Sequence, residues 1–436
     1  MFSFISRFKY LQSGSWLLFE QVLRVLISTC YILLLTAHLG PNDFGIFIFA
    51  LTLIGIIKVF INFGAEDILV KLLGNRPENF INYLSAAFYI KIFINTLIFM
   101  VFLIIYLSGI NQSFILLSLI ILLAFNIFSA FDIISFYYES RVDGRKIAFC
   151  KLAQLICITF IKIYLLLGQY ELVFFIVVQG LEFFFLGIFY CISFRSRILK
   201  LLANKFNFEE YKNIISESFG YLLIGIVGVL FIRVDQLMVK NILGFEQLGY
   251  FGLCVRFIDI LFLLPIIFSK TIFPLMIKKS KNAVEYKKFL KDIFVGIVWF
   301  SIILNLLTLF IGNYLIKSFL PESNYIISFN VFIIYIWALI PYFFNQVTYR
   351  WLMIENKIKD NLIRTLLALI VNFLLNFFLI PIFGIYGAAI STLVSLIFLS
   401  FILDYCFIYS RRLFHYKFKA FNPLAIYPLY SNIIRK

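Results

Sequence analysis

The sequence predicts an all-α polytopic membrane protein, because its composition, its apolar runs and its charge distribution agree. Of the 436 residues, 63% are hydrophobic and only 14% are charged, whereas a soluble domain is nearer half apolar and a quarter charged. Apolar runs of about 20 residues, each long enough to cross roughly 30 Å of hydrocarbon as a helix, recur along the whole chain. Lys and Arg are concentrated in alternate connections between these runs. A water-soluble fold is therefore excluded.

The uninterrupted apolar stretches predict twelve transmembrane helices. Most are separated by short polar connections, and no connection is long enough to hold a soluble domain. The predicted spans are 15–39, 44–62, 84–107, 113–136, 147–167, 172–194, 218–242, 249–275, 293–312, 326–348, 361–381 and 386–409.

The distribution of basic residues predicts the orientation of these spans. The N-terminal segment, every second loop and the tail together hold 27 Lys and Arg, whereas the alternate loops hold only Lys317. Because cytoplasmic loops retain basic residues, both termini are predicted to be cytoplasmic. This asymmetry accounts for most of the formal net charge of +16. The tract from Lys278 to Lys291 is therefore interpreted as a topology anchor beside anionic membrane lipids, and no nucleic-acid partner is expected.

Several kinds of site find no support in the sequence. The six cysteines occur singly in apolar segments without CxxC spacing, and there are only two histidines, so neither a metal site nor a cofactor is predicted. The N-terminus has no short apolar core with a cleavage site, so it is not interpreted as a removable signal peptide. No convincing cluster of nucleophile and base is found, so we predict a transporter and not an enzyme.

A short repeat predicts two related halves. LGPNDFGIF, Leu39–Phe47, and LGFEQLGYF, Leu243–Phe251, keep one register at an offset of 204 residues. Both fall between the first and second spans of a six-span set, where glycine suits a tight turn. Two six-helix lobes, 1–205 and 206–436, are therefore predicted, the second carrying a cytoplasmic tail. Parallel repeats of this kind are related by a pseudo-two-fold axis along the membrane normal, with a substrate site at their interface.

Ten basic residues lie within the predicted spans. Five are near span ends, where long side chains can extend to the polar interface; they are Lys58, Lys151, Lys240, Lys270 and Arg364. A charge deeper in the membrane costs about 2.5–3.5 kcal/mol and must face protein or water. Five basic residues lie at such depth and are predicted to bind substrate in a cationic cavity: Arg24, Lys91, Lys162, Arg233 and Arg256.

Four acidic residues, Glu20, Glu182, Asp235 and Asp259, are predicted as charge partners or ion-coupling groups. Glu20 and Arg24 are four residues apart and Arg256 and Asp259 three apart, so each couple shares a helix face and can form an internal ion pair. Arg233 and Asp235 are two apart, so each requires a partner or solvent on another helix. The excess of basic groups predicts a hydrated cationic cavity and hence an anionic cargo.

Two segments resemble a known family. FIRVDQLMVKNILGFEQLGYFGLCVRF and NFLLNFFLIPIFGIYGAAISTLVS are similar to the polysaccharide-unit (Wzx-like) flippases of the multidrug/oligosaccharidyl-lipid/polysaccharide exporter (MOP) superfamily. That superfamily also contains the multidrug and toxin extruders (MATE) and the lipid II flippases. The segment LGPNDFGIFIFALTLIGIIKVFINFGAEDILV resembles the opening hairpin of the family. The likeness extends over most of the chain.

This resemblance implies a MATE-like architecture, a V-shaped central cavity and alternating access. It further implies a bacterial inner-membrane protein that moves an undecaprenyl-pyrophosphate-linked oligosaccharide from the cytoplasmic to the periplasmic leaflet, for O-antigen or capsule assembly. Only Arg233 and Asp235 are carried over from the family, as its R-x-D position. H⁺ and Na⁺ are the alternative coupling ions, and a polysaccharide polymerase is an expected partner.

Three other functions are weighed against this one. A multidrug or cation extruder has the same fold but requires an acidic cavity for cationic cargo. An O-antigen polymerase or ligase carries a large periplasmic loop with catalytic residues, and the longest predicted extracytoplasmic loop has about fifteen residues. A structural scaffold gives no reason for charges inside the spans.

Overall fold

The computed structural model is all-helical over the residues it describes, none of which forms a β-strand. The described residues are 2–65, 68–69, 72–73, 80–110, 112–203, 208–319 and 325–423. They divide into two compact units, Met1–Val229 and Leu230–Lys436. The division falls inside a single helix, and the lobes 1–205 and 206–436 stay a prediction.

Helices of the first unit are numbered in chain order. They are α1 Phe2–Asn62, α2 Phe80–Leu107, α3 Phe114–Asn126, α4 Ile133–Ser140, α5 Gly144–Leu167, α6 Leu172–Ser193 and α7 Arg195–Leu202. A 3₁₀ segment, Ile127–Asp132, joins α3 to α4. Helix α8, Phe208–Leu243, runs from the first unit into the second.

The second unit continues with helices of 4 to 37 residues. They are α9 Phe245–Ser280, α10 Ala283–Phe319, α11 Ile326–Tyr335, α12 Leu339–Ile354, α13 Ile358–Phe383, α14 Ile385–Ile397, α15 Leu403–Cys406 and α16 Arg411–Lys419. The 3₁₀ turn Ile336–Ala338 joins α11 to α12, and the π-helical turn Phe398–Ile402 joins α14 to α15.

Eleven helices in the described part of the chain are long and apolar enough to cross a membrane. The first of these, Ser13–Asn62, has 50 residues, which as one helix would extend about 75 Å, more than twice the hydrocarbon thickness. It is interrupted at Gly40, whose φ of 71° and ψ of 174° are not helical. The two parts match the predicted spans 15–39 and 44–62, so the described residues provide twelve crossing segments. The chain is a multi-pass membrane protein.

Gly40 and Gly244 occupy equivalent positions in the repeat and adopt nearly the same backbone conformation. Gly244 has φ 91° and ψ −176° and separates α8 from α9. This region of positive φ and extended ψ is essentially restricted to glycine. An added Cβ would meet no atom within 4 Å at either position, so the requirement for glycine comes from the backbone and not from crowding. The turn predicted for both copies is confirmed.

Many of the exposed side chains are as apolar as the buried ones, as expected where lipid is the solvent. Phe93, Phe160 and Phe310 are 68%, 70% and 81% exposed. Buried positions include polar groups such as Asn95, Asn372 and Asp404. Because polar groups inside a membrane protein must find protein partners, these buried polar positions indicate where its chemistry lies.

Candidate functional site

Helix α8 presents Arg233 and Asp235 to different neighbours within the second unit. The side chains are two residues apart and therefore point away from each other. Arg233 Nη2 donates to Asp259 Oδ2 on α9 at 3.0 Å, and each of these side chains is 24% exposed. The expectation that Arg233 and Asp235 need partners on other helices is confirmed. The Arg233–Asp259 pair is therefore partly exposed at the surface of the second unit.

Asp235 lies in the interior of the second unit and is 1% exposed. Its Oδ1 accepts a hydrogen bond from the backbone N–H of Gln236 at 2.7 Å. Its Oδ2 accepts from Tyr335 Oη at 3.3 Å and from Thr392 Oγ1 at 3.4 Å. Three hydrogen bonds therefore hold a carboxylate in a region from which solvent is excluded.

The network around Asp235 continues through α13 and α14. Asn372 Nδ2 donates to Ser395 Oγ at 3.0 Å and lies 3.4 Å from Thr392 Oγ1, while Asn376 Nδ2 donates to Asn372 Oδ1 at 2.7 Å. The amides are four residues apart and share one helix face. Asn376 Oδ1 is buried and has no hydrogen-bond partner among the described residues. The region is rich in oxygen acceptors, which is the chemistry that a proton or a hard cation needs.

Asp259 has an ion-pair partner that the spacing along its own helix did not predict. Its i−3 neighbour Arg256 was the expected partner, but the ion pair found for Asp259 is with Arg233 of the preceding helix. The cause is the hairpin at Gly244, which brings α8 alongside α9. Arg256 itself is half-buried, and its substrate-binding role stays a prediction.

In the first unit, Arg24 forms the predicted ion pair with Glu20. Arg24 Nε lies 2.6 Å from Glu20 Oε1, and the two side chains are 31% and 2% exposed. Arg24 Nη2 also donates to Gln154 Oε1 at 3.2 Å and to the Lys151 carbonyl at 3.3 Å. The carboxylate is thus buried beneath a guanidinium whose outer edge is exposed.

Lys162 and Glu182 form a second pair in this unit, joining α5 to α6. The Nζ to Oε1 distance is 2.5 Å, and Gln179 Nε2 donates to the other carboxylate oxygen at 2.9 Å. Lys162 Nζ also lies 4.3 Å from the centroid of the Tyr31 ring. Lys91 is 3% exposed and donates to the Ser129 carbonyl at 3.0 Å. Among the described residues, Arg24, Lys162 and Arg233 are thus each bonded to an acidic side chain.

Lys58 belongs with these groups, although its position near a span end suggested that it reaches the membrane interface. Its Nζ lies 4.2 Å from the centroid of the Phe183 ring on α6. The charges of Asp132 and Glu182 also act on it. Within the described part of the chain, no carboxylate oxygen lies within 4 Å of Lys58 Nζ. The interfacial interpretation of Lys58 is corrected: this cation turns inward.

Arg364 was also assigned to the interface, and the structure contradicts this assignment. Arg364 is 1% exposed, and its Nη2 donates to Asp404 Oδ1 and to the Leu399 carbonyl. Lys417, from α16, donates to Asp404 Oδ2 and, at 2.8 Å, to Thr348 Oγ1. Asp404 therefore forms ion pairs with two buried cations, next to the π-helical turn that joins α14 to α15. The interface is not available to Arg364 because the C-terminal helix covers it.

Sequence reasoning missed several residues of these sites. Tyr335, Thr392 and Lys417 come from segments distant in sequence from their partners, so no local spacing identifies them. Asn372 and Asn376 carried a usable signal, since two amides four residues apart in an apolar span indicate one polar face. Among the described residues, no group of three His, Cys, Asp or Glu side chains is arranged to hold a metal ion.

The fold is that of the MOP-superfamily transporters. It is similar to an inward-facing multidrug resistance MATE family transporter of that superfamily, with a TM-score of 0.73 and 12% identity over 94% of this chain and 100% of that chain. It is similar to the lipid II flippase MurJ in an inward closed conformation, with a TM-score of 0.65 and 14% identity over 93% of this chain and 90% of that one. A Pyrococcus furiosus MOP transporter, described by a binding pocket of reverse polarity, has a TM-score of 0.56 and 12% identity over 93% of this chain and 95% of that one.

The family follows from the sequence itself. The family model described as "Polysaccharide biosynthesis protein" matches residues 34–323, more than half of the chain. The chain belongs to this polysaccharide biosynthesis protein family, and the predicted relationship is confirmed. No curated protein matches the chain.

Proposed function

We propose that this protein is a flippase that moves an undecaprenyl-pyrophosphate-linked oligosaccharide from the cytoplasmic to the periplasmic leaflet of a bacterial inner membrane. Both termini are cytoplasmic in this proposal, and the cargo serves O-antigen or capsule assembly, where a polysaccharide polymerase consumes it. The MATE-like fold supports alternating access, and family membership supports a saccharide cargo.

The observation that carries this proposal is the partial exposure of Arg233. Its guanidinium has five N–H donors, and the described part of the chain provides it with one hydrogen-bond partner, Asp259. The other N–H groups lie in the plane of the guanidinium. This planar geometry suits bidentate binding of a phosphate. Arg24 is also partly exposed, at 31% of its side chain, and it bonds to Glu20, Gln154 and the Lys151 carbonyl. We assign phosphate binding to Arg24, Arg233 and Arg256, with Lys91 and Lys162 contributing positive charge.

The membrane potential favours the proposed direction of transport. With the cytoplasm negative, each negative charge that moves outward gains about 2.3 kcal/mol per 100 mV. A pyrophosphate is therefore driven towards the periplasm. The acidic partners lower the net positive charge of each site, so a pyrophosphate has to compete with Asp259 for Arg233, or with Glu20 for Arg24. Such competition permits release as well as binding.

We further propose that the Asp235 network is the ion-coupling site. Its oxygen atoms suit H⁺ or Na⁺, and the carboxylate is buried among hydroxyl and amide groups that provide no positive charge of their own. Glu20, Glu182 and Asp259 serve as charge partners instead, because each is already bonded to a basic residue. Binding of one cation at Asp235 would then change the packing of α8 against α11 and α14.

Reconstituted protein provides the test. Proteoliposomes loaded with a fluorescent undecaprenyl-pyrophosphate-linked oligosaccharide report flipping as the fraction exposed to a membrane-impermeant quencher. We expect flipping by the natural protein, a strong loss in Arg233→Ala, and little change in Lys240→Ala, a matched control on the same helix. Export of an organic cation such as ethidium without any flipping would contradict the proposal and favour the cation extruder.

A further inference from the structure

An apolar groove lies on the second unit, outside the ion pairs and the Asp235 network. It encloses about 440 Å³ between α9, α10 and α12. We call it the Gly296 groove, because its lining residues on α10, from Phe289 to Phe300, surround Gly296. An added Cβ at Gly296 would meet no atom within 4 Å. Gly296 therefore leaves the α10 side of the groove open.

Aromatic rings form the walls of this groove. Phe343 of α12 is buried and packs edge-to-face against Phe268 of α9 and Phe300 of α10, with centroids 5.9 and 6.1 Å apart. Phe300 is 52% exposed, so the wall is open on one side. Such a surface is wide and apolar and suits a hydrocarbon chain with branches.

The groove has one charged end. Asp292 is its only charged lining residue, and the positive charges of Lys279, Lys288 and Lys291 act on that carboxylate. Lys279 Nζ lies 5.1 Å from the centroid of the Phe289 ring, which is itself part of the lining. Three lysines and one aspartate leave this end positive, which complements a phosphate-bearing headgroup.

The length of the groove corresponds to one leaflet. Phe289 and Phe300 are separated by about 16 Å along a helix, close to half of the roughly 30 Å hydrocarbon thickness. Its lysine-bearing end belongs to the tract Lys278–Lys291, which the positive-inside rule places on the cytoplasmic side. The groove thus extends from the cytoplasmic headgroups to the middle of the bilayer.

We propose that the Gly296 groove binds the polyprenyl chain of the lipid-linked cargo, with the first phosphates at Lys279, Lys288 and Lys291. This inference rests on the proposed function, for which it supplies a loading site in the leaflet where the cargo is made. A polyprenyl chain has a methyl branch on every fourth backbone carbon and fills an aromatic groove better than a straight acyl chain. Its pyrophosphate also carries more charge than a phospholipid phosphodiester.

Photo-cross-linking tests this binding without requiring transport. The probe is undecaprenyl phosphate with a diazirine in its tail, incorporated into proteoliposomes of phosphatidylethanolamine, to which competitor lipids are added. We expect labelling of the peptide that contains residues 289–300, and competition by unlabelled undecaprenyl phosphate. Gly296→Leu should reduce labelling about tenfold, equivalent to about 1.4 kcal/mol. Gly220→Leu is the matched control, because Gly220 is also helical and has open space around its Cβ position.

Two sets of lysine variants test the charged end. Replacing Lys279, Lys288 and Lys291 with Gln should weaken labelling, whereas the same change at Lys278, Lys281 and Lys287 should not. Both sets remove three positive charges from one tract, so a general effect of charge would act equally on both. The inference would be wrong if an equal concentration of phosphatidylglycerol abolished the labelling, or if Gly296→Leu left the labelling intact. Either result would identify an ordinary lipid contact.

The outcomes also separate this inference from the proposed function. If Gly296→Leu loses labelling and the natural protein does not flip the cargo, the groove is confirmed and the flippase proposal is wrong. If the natural protein and Gly296→Leu flip the cargo at the same rate, the flippase proposal stands and the loading site is wrong.

Discussion

Arg233 and Asp259 form an ion pair across the α8–α9 hairpin, with 3.0 Å between Nη2 and Oδ2. Both side chains are about one-quarter exposed, so the pair contributes only modestly to stability. Two apolar residues at these positions would insert into a membrane with a lower free energy. The presence of an ion pair in a membrane-spanning segment therefore requires an explanation. A guanidinium that is held in place, but not enclosed, is suited to an exchangeable anionic ligand.

A charge swap separates the structural and ligand-binding roles of this pair. We expect the combined Arg233→Asp and Asp259→Arg variant to keep the thermal stability of the natural protein, because the attraction is restored. Flipping should nevertheless fall about tenfold or more, since the phosphate loses a charge-assisted hydrogen bond worth about 1.5–3 kcal/mol. Thermal unfolding in detergent and the flipping assay together measure both effects. Full recovery of flipping by the swap would show that the pair is only structural.

Asp235→Asn should abolish ion coupling while the fold is retained, because the amide keeps the shape and loses the charge. In the natural protein we expect an inward Na⁺ or H⁺ gradient to accelerate flipping, and we expect no such dependence in the variant. Added Na⁺ should raise the melting temperature of the natural protein alone if Na⁺ is the ligand, by the usual linkage of binding and stability. Asp43→Asn, the same change in the first unit, is the control. An unchanged gradient dependence in Asp235→Asn would exclude Asp235 as the coupling site.

Asp404→Asn should be the most destabilising single change in the C-terminal cluster. It leaves Arg364 and Lys417 buried without a counter-charge, and loss of one partner from a buried ion pair costs about 3–5 kcal/mol. Lys417→Met removes one cation and keeps the Arg364–Asp404 pair, so we expect a smaller loss. Melting temperatures of the two variants in the same detergent provide the comparison. Equal losses would mean that charge balance does not govern this cluster.

The stability contributed by Lys417 should increase at alkaline pH. Burial lowers the pKa of Lys417 to about 8 from its ordinary value of 10.5. Between these two pH values the unfolded chain binds more protons than the folded one, so the free energy of unfolding rises with pH. The melting temperature of the natural protein, relative to Lys417→Met, should therefore rise from pH 8 to pH 10. Lys419→Met, which removes an exposed lysine of the same helix, should show no such change; a pH-independent difference for Lys417→Met would contradict the prediction.

Substitution of either hairpin glycine should destabilise the protein through the backbone alone. Gly40→Ala and Gly244→Ala each place a Cβ in a conformation that costs about 1–3 kcal/mol. Gly228→Ala is the control, because Gly228 is helical, has similarly open space and should gain slightly from the better helix former. Melting temperatures that fall equally in all three variants would refute a conformational cause.

The sequence predicted those features that depend on local spacing. Apolar length identified the crossing segments, and the i to i+4 spacing identified the Glu20–Arg24 pair. The same rule did not predict the Arg233–Asp259 pair, because its two members lie on different helices; the Arg256–Asp259 pair stays a prediction. Asp235 bonds to residues 100 and 157 positions away, and no one-dimensional pattern contains that information.

Arg364 shows a second limit. A basic residue near a span end is normally free to extend towards water, and this expectation holds only when nothing covers that end. Here α16 folds back and brings Lys417 to the carboxylate that Arg364 also uses. The covering element comes after the last span, so its effect on Arg364 depends on tertiary structure alone.

The matched turns at Gly40 and Gly244 bear on the ancestry of the chain. A shared glycine-only conformation at an offset of 204 residues is what duplication of a six-helix unit would predict. In that register Asp235 corresponds to Tyr31, a buried tyrosine whose hydroxyl has no hydrogen-bond partner within the described residues. The two positions therefore differ in their chemistry: one holds a carboxylate, and the other an aromatic ring against Lys162 of the Lys162–Glu182 pair.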